Sequence, residues 1–373
     1  MSSGDKNAGF GSAGDRSAGL LWLRTESKAF EQRTLLTPAV ALQLIQSGFD
    51  VVVERSEQRA FADDEYEAIG CTLSEPWSWC TAPQHAIIMG LKELAVSDGP
   101  FSRRHVHFAH VYKQQRGWQD MLSQFKAGGG ALYDLEYLTH EDGRRVAAFG
   151  YWAGFVGAAV SLLAFCAKQQ GSVLGALSSW PDKQSLVSDV QMRLARLPAS
   201  TEPKALVIGA LGRCGTGATE LFESCNIPYS AWDQKETAPG GPFDEILEHD
   251  ILVNCVFVNS PLPKFTTLAH VSQPGRKLQV ISDVSCDPFG EYNPLPVTTR
   301  CTTMSDPVDV VLSDDGPTPA LHLISIDHLP SLLPRESSED FATQLLPALK
   351  SIDNLDQGAW ARAHKVFIEN LPA

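Results

Sequence analysis

KALVIGALGRCGTGATELF, residues 204–222, decides the fold of this chain of 373 residues. Residues 205–208 are a short apolar run, the pattern of a buried strand. Gly209, Gly212, Gly215 and Gly217 crowd the turn that follows, and residues 218–224 read as a helix start. Strand, glycine-rich turn and helix form the unit that brings backbone N–H groups up to a pyrophosphate. Glycine is needed there because a Cβ would block the tight turn or the ligand's approach. The spacing is not the strict G-x-G-x-x-G, so glycines that merely close a turn remain a second reading. The downstream sequence favours the first. Residues 229–232 read as a second strand ending at Asp233, a carboxylate about 20 residues on, where dinucleotide folds place the acceptor of a ribose 2′-OH. An acid at that position favours NAD over NADP, whose 2′-phosphate it would repel.

The bulk properties narrow the function class. A chain this long has room for two domains with real cores, and 43% hydrophobic with 20% charged residues is a globular composition. A net charge of -14 argues against a nucleic-acid surface, which relies on clustered Lys and Arg. The eight cysteines include no C-x-x-C pair and follow no signal peptide, so neither a zinc site nor a secreted disulfide framework is expected. Reduced thiols in a cytoplasmic protein are the expectation, with a redox-sensitive pair at Cys214 and Cys255 an open question. Residues 1–19, rich in Gly, Ser, Ala and Asp, read as a disordered leader.

Residues 146–167 carry no charge and are long enough to span a bilayer. Gly150, Gly154 and Gly157 would even supply small-residue packing positions. A helix buried in a soluble core is apolar all round for the same reason, and that reading is preferred, with no membrane. Around this segment strands alternate with helices, which implies mostly parallel sheets. Strands are expected at 20–24, 50–54, 86–89, 106–109 and 131–135, then at 205–208, 229–232, 251–258, 279–282, 308–312 and 321–324. Helices are expected at 37–47, 63–69, 118–125, 183–196, 337–349 and 358–370. The architecture is therefore α/β: two Rossmann-like domains with a cleft between them, where substrates favour domain interfaces. Residues 20–148 with 330–373 are assigned to a substrate domain and 149–329 to the dinucleotide domain.

Several residues are placed to do chemistry. Lys92 follows the strand at 86–89, at the edge where open α/β sheets place ligands; it reads as a general base or acid, or as half of an exposed Lys-Glu pair. His110 ends HVHFAH and is placed for proton transfer, or is a hydrogen-bonded core histidine. His105, His107 and His110 do not share one strand face, which opposes a metal site. Arg33, Arg144 and Arg145 suit carboxylate recognition or simply lie exposed. Asp327-His328 follows the last strand and reads as a cleft residue pair or a satisfied turn.

Taken together, RTLLTP around Arg33, GLKE around Lys92, FAHVYK around His110, YDLEYL around Glu136, GRRVAAFGYWAGFVGAA at 143–159, GALGRCGTGA at 209–218, WDQKETAPGGPFDEI at 232–246 and ISIDHLPSLLPRESSE at 324–339 resemble the saccharopine dehydrogenase family, the NAD-dependent, L-lysine-forming enzymes of lysine biosynthesis, and through it the alanine dehydrogenase/transhydrogenase group. The resemblance implies oxidation of saccharopine by NAD⁺ and hydrolysis of the imine to lysine and 2-oxoglutarate, by a monomer that needs no metal. It implies Lys92 as base and His110 as acid, with Arg33, Gln115, Arg145 and Phe149 on the substrate. Gly212, Arg213, Asp233, Thr237 and the segment Ile326, Asp327, His328 and Leu329 would hold NAD, with Arg144 nearby; Asp283, Val284 and Ser285 would line the cleft floor. Two departures bear on NAD: Phe257 stands where the family often has tyrosine, and Ser282 replaces a more usual apolar residue. An alanine dehydrogenase-like enzyme and a non-catalytic NAD-binding regulator are the rival readings.

Overall fold

The computed structural model describes residues 18–28, 30–112, 117–256, 258, 260–288, 290–297, 300–313 and 318–372. The first part of the chain runs β1 (Gly19–Leu23), α1 (Pro38–Gln46), β2 (Phe49–Glu54), α2 (Asp63–Glu67), β3 (Thr72–Ser74), β4 (Ile87–Met89), β5 (Arg104–His107), α3 (Trp118–Gly128) and β6 (Ala131–Asp134). Local chemistry sets these boundaries. Thr37 caps α1 by accepting from the Val40 N–H, with Pro38 at the first helical position. Gly129 stops α3 in the left-handed region at φ 70.

The six strands form one parallel sheet in the order β3-β2-β1-β4-β5-β6. The strand order reverses between β1 and β4, so the carboxyl ends of those two strands form the switch point where doubly wound sheets bind ligands. The three-residue β3 has too little pattern to be legible in sequence.

The second part runs α4 (Gly150–Gln169), α5 (Lys183–Leu194), β7 (Ala205–Ile208), α6 (Arg213–Ser224), β8 (Tyr229–Trp232), α7 (Gln234–Thr237), β9 (Ile251–Asn254), α8 (Leu268–Val271), β10 (Val280–Asp283), β11 (Asp309–Leu312) and β12 (Leu321–Ile324). Its sheet order is β11-β12-β10-β9-β7-β8. All pairs are parallel except β11 on β12, an antiparallel edge. Here the reversal lies between β7 and β9, so the glycine turn that ends β7 occupies this sheet's own switch point. Two helices close the chain, α9 (Pro334–Leu349) and α10 (Gly358–Asn370). α10 packs on β6, with Trp360 edge-on to Tyr133 and His364 stacked on it.

The chain divides into two compact units: Met1–Ala29 with Thr34–Ala147 and Ala342–Ala373, and Phe30–Arg33 with Ala148–Phe341. Residues 30–33, Ala148 and residues 330–341 thus fall in the second unit, where the sequence assigned them to the first. The reason is packing. Leu329, Leu332 and Leu333 join the apolar cluster built on α4, and Ser337 Oγ donates back to the Pro330 carbonyl at 2.8 Å.

α4 is long and apolar enough to cross a membrane, yet 78% of its most apolar window is buried. Its neighbours are α5, α6, β9 and β10 of the same unit. Fourteen of its residues are buried, and each fully buried Leu, Val or Phe contributes about 1.5–3 kcal/mol. That burial accounts for the uncharged sequence of 146–167.

Candidate active site

At the switch point of the first sheet, the chain leaving β1 holds the chain leaving β4. Arg24, 1% exposed, reaches the Lys92 carbonyl with one guanidinium nitrogen and Glu26 with another at 3.2 Å. Glu26 in turn accepts from the Leu91 N–H at 2.5 Å and the Lys92 N–H at 3.1 Å. The Lys92 peptide is therefore held on its N–H and its C=O by one largely buried ion pair. A buried pair of this kind adds little net stability and is better suited to fixing one conformation. Glu93, next along, pairs with Lys28 at 2.5 Å. Burial pushes the Glu93 carboxyl up, but the Lys28 hydrogen bond and charge, with a smaller contribution from His110, hold it below the usual range.

His110 lies just past β5 in the left-handed region at φ 55. A non-glycine residue there costs about 1–3 kcal/mol and is a feature of functional sites. Its ring stacks on Phe108, and its Nδ1 lies 3.8 Å from Glu136 Oε2. The Phe108 N–H donates to the Leu91 carbonyl, and the Glu136 N–H to buried Asp134. The loops after β4, β5 and β6 are thus tied together, with Lys92, His110 and Glu136 on them.

His105 and His107 are each 1% exposed, His105 among Trp79, Phe101 and Phe125 and His107 edge-on to His105. Burial, with Arg24 and Arg103, drives the His105 imidazolium down to about 3, and burial holds His107 well below the usual range. Both stay neutral and outside proton transfer. Among the described residues no three His, Cys, Asp or Glu are placed to hold a metal ion. Arg144 is exposed and paired with Asp142 at 2.6 Å, beside exposed Arg145 in a tight hairpin. Gln115 and Phe257 lie outside the described residues.

In the second unit Gly209 takes φ 83, and Gly212 starts α6 with no side-chain cap. The first-turn N–H groups of α6 therefore lack a side-chain acceptor, the arrangement that receives an anion. A Cβ on Gly215 would sit 2.1 Å from the Gly209 carbonyl oxygen, so the turn closes only with glycine there. Arg213 is exposed at the start of α6. Asp233 ends β8 and accepts from the Leu211 N–H at 3.0 Å and the Gln234 N–H at 2.8 Å, while Thr237 Oγ1 donates to the Asp233 carbonyl. The carboxylate is thereby tied to the glycine turn, with capacity for further donors. Cys214 and Cys255 are free thiols, and the neighbouring Cys214 together with burial holds the Cys255 thiol well above its usual range.

Three of the residues expected at the cofactor have their side chains in the core. Ser282 is fully buried and its Oγ donates to the Gly157 carbonyl of α4 at 3.1 Å. Ile326 and Leu329 are each 1% exposed and belong to the α4 core. Their side chains hold β10 and the post-β12 loop in place, whereas Asp327 is exposed and His328 half-buried. Val284 packs partly against the same core, and Ser285 Oγ donates to the Val256 carbonyl at 2.6 Å.

Arg33 is 5% exposed. Its Nε and Nη2 bind both oxygens of Glu31 at 2.8 and 2.6 Å, and its guanidinium sits 4.5 Å from the centre of the Phe149 ring. Phe149 stacks on Phe341 at 4.3 Å. The expected substrate clamp is therefore bidentate to a protein carboxylate, and Glu31 is a partner that single-residue reading of the sequence could not supply.

Asp283, at the carboxyl end of β10, is 2% exposed and accepts from Asn254 Nδ2 at 2.9 Å. Burial pushes its carboxyl from 3.8 up to about 6 against these hydrogen bonds. The native state therefore binds this proton more tightly than the unfolded chain. Its stabilisation is complete below pH 3.8 and is lost as pH rises through about 6, a change of about 3 kcal/mol. Asp283→Asn should flatten that segment of the urea-midpoint profile between pH 4 and 7. Parallel profiles for the two proteins would refute the assignment.

Two parallel-sheet units, one with Lys92, His110 and Glu136 on the loops at its switch point and one with a glycine turn at its own, have the organisation of a two-domain dinucleotide-type oxidoreductase. Residues 22–156 match the model of the alanine dehydrogenase/PNT N-terminal domain. Among solved structures, an L-alanine dehydrogenase aligns over 95% of both chains at TM-score 0.64 and 15% identity. A transhydrogenase from Sinorhizobium meliloti covers 90% of this chain and 95% of its own at 0.58 and 16%. Sequence relatives are much nearer. Saccharopine dehydrogenase [NAD(+), L-lysine-forming] of Schizosaccharomyces pombe is 47% identical over 357 residues, covering 93% of this chain and 97% of its own. The protein of the same name from Candida albicans is 44% identical over 368 residues, covering 93% and 96%. The chain belongs to the saccharopine dehydrogenase family.

Proposed function

We propose that this chain oxidises saccharopine with NAD⁺ and hydrolyses the resulting imine to L-lysine and 2-oxoglutarate. The second unit fits the dinucleotide. Its turn admits no Cβ at Gly215, α6 begins without a side-chain cap, and Asp233 stands at the end of β8. Gly212, Arg213, Asp233, Thr237, Asp327 and His328 would hold NAD, which when bound accepts the hydride. Everything else is proton management. A secondary ammonium cannot release a hydride from its carbon until it has lost a proton, and Lys92 is the base that takes it. His110 then serves the water that adds to the imine carbon and delivers a proton to the departing amine, a division of labour for two groups of different pKa. Saccharopine's carboxylates call for cationic partners, and Arg145 is the exposed arginine of the substrate set.

The observation that carries this reading is the clamp on Lys92. A buried arginine and a half-buried glutamate are spent on the peptide of one lysine at a switch point, which an exposed ornamental Lys-Glu pair would not require. The test is NADH oxidation by the purified protein. Lysine with 2-oxoglutarate should outpace pyruvate with ammonium by at least about 100-fold. Turnover of pyruvate with ammonium alone would assign the chain to an alanine dehydrogenase-like activity instead.

A further inference from the structure

Beyond the catalytic machinery, β10 ends in a turn that brings two thiols together. Cys286 follows Asp283-Val284-Ser285 and takes φ 48. Its Sγ lies 3.7 Å from Cys301 Sγ. Both are free thiols, Cys301 exposed and Cys286 half-buried. One residue holds the two in register. The Ser325 carbonyl accepts from the Cys286 thiol at 3.2 Å and from the Thr302 N–H at 2.8 Å. The Ser325 N–H donates to Thr302 Oγ1 at 2.9 Å, and its Oγ donates to Cys286 Sγ at 3.3 Å.

We propose that Cys286 and Cys301 form a peroxide-reactive dithiol that closes to a disulfide. An S–S bond is about 2.05 Å long, so the sulfurs must approach by roughly 1.7 Å, within reach of side-chain rotation from the present 3.7 Å. The exposed Cys301 meets hydrogen peroxide first: its sulfur takes one oxygen, the O–O bond breaks, and one water leaves, giving a sulfenic acid. The Cys286 sulfur then attacks that sulfur and its thiol proton leaves with the expelled hydroxide as a second water. Two thiols have lost two electrons and peroxide has become two waters. Burial pushes the Cys286 thiol up, which keeps it from reacting with peroxide ahead of Cys301, while the Ser325 hydroxyl eases its ionisation for the second step. The link would tie the end of β10 to Thr302, which bridges to Ile326, bracing the two segments that carry Asp283 and Asp327.

The test uses the full-length protein treated with stoichiometric hydrogen peroxide, then alkylated and mapped by mass spectrometry. Alkylatable thiols should fall from the eight of the reduced chain by two, with a cross-linked peptide joining Cys286 to Cys301 that dithiothreitol reverses. In Cys301→Ser, Cys286 should stay alkylatable under the same treatment. Oxidation confined to other cysteines, or terminal oxidation of Cys301 without a cross-link, would overturn the proposal. So would equal loss of Cys286 in the Cys301→Ser protein, since Cys301 would then not be the thiol that reacts first.

Discussion

Lys92→Met is expected to lower turnover by about 10²–10⁴-fold, the range that loss of a positioned acid–base group produces, while NADH affinity changes by less than about two-fold. The substitution keeps length and apolar stem and removes only the amine. Gly212, Arg213, Asp233, Thr237, Asp327 and His328, the residues proposed to hold NAD, lie in the other unit, so binding of NADH has no reason to follow. The backbone hydrogen bonds from Glu26 and Arg24 do not depend on the side chain, so the loop should survive the change. Stopped-flow turnover and fluorescence titration of NADH separate the two quantities. The pH–rate profile of the variant should also lose one limb, the signature of a missing titrating group. Equal losses in turnover and NADH affinity would make Lys92 a structural residue.

What the sequence makes legible is what is local. The glycine turn, Asp233 and the place of Lys92 each follow from a few adjacent residues and the period of the strand before them. The partners that set their geometry are not local. Arg24 and Glu26 act on Lys92 across 66 and more positions, and neither has a pattern of its own. Glu31 neutralises Arg33 from two residues away, but only burial distinguishes that pair from an exposed one. The side chains of Ser282, Ile326 and Leu329 turn into the core, and strand ends do not reveal in sequence which alternate residue turns inward. The strand expected to reach 258 stops at Asn254, whose side chain bonds Asp283 and Ser285, again a partner about thirty residues on. Edge strand β11 follows the same rule: its residues read as a strand, and its antiparallel direction does not.

Gly154→Val is expected to destabilise the second unit by at least about 1–3 kcal/mol, the usual cost of overpacking, and to weaken NADH binding by ten-fold or more. Sequence offers Gly150, Gly154 and Gly157 as small residues of a spanning helix; the structure gives Gly154 a different task. A Cβ there would lie 1.8 Å from the Cys214 carbonyl oxygen in the first turn of α6. Across the same contact a Cβ on Gly217 would lie 2.0 Å from the Tyr151 carbonyl oxygen. Backbone thus meets backbone between α4 and α6, and no flexible side chain is available to yield. Added bulk must push α6 away from α4, and α6 carries at its start the uncapped N–H groups proposed to receive the pyrophosphate. Position of the turn is therefore fixed from behind, by a helix with no residue in the glycine motif. Gly175→Ala supplies the control, because a Cβ there meets nothing within 4 Å and should change stability by no more than about 0.5 kcal/mol. Urea midpoints and NADH titrations on both variants decide the matter. A lowered midpoint with unchanged NADH affinity in Gly154→Val would uncouple the packing of α4 from the turn it is argued to hold.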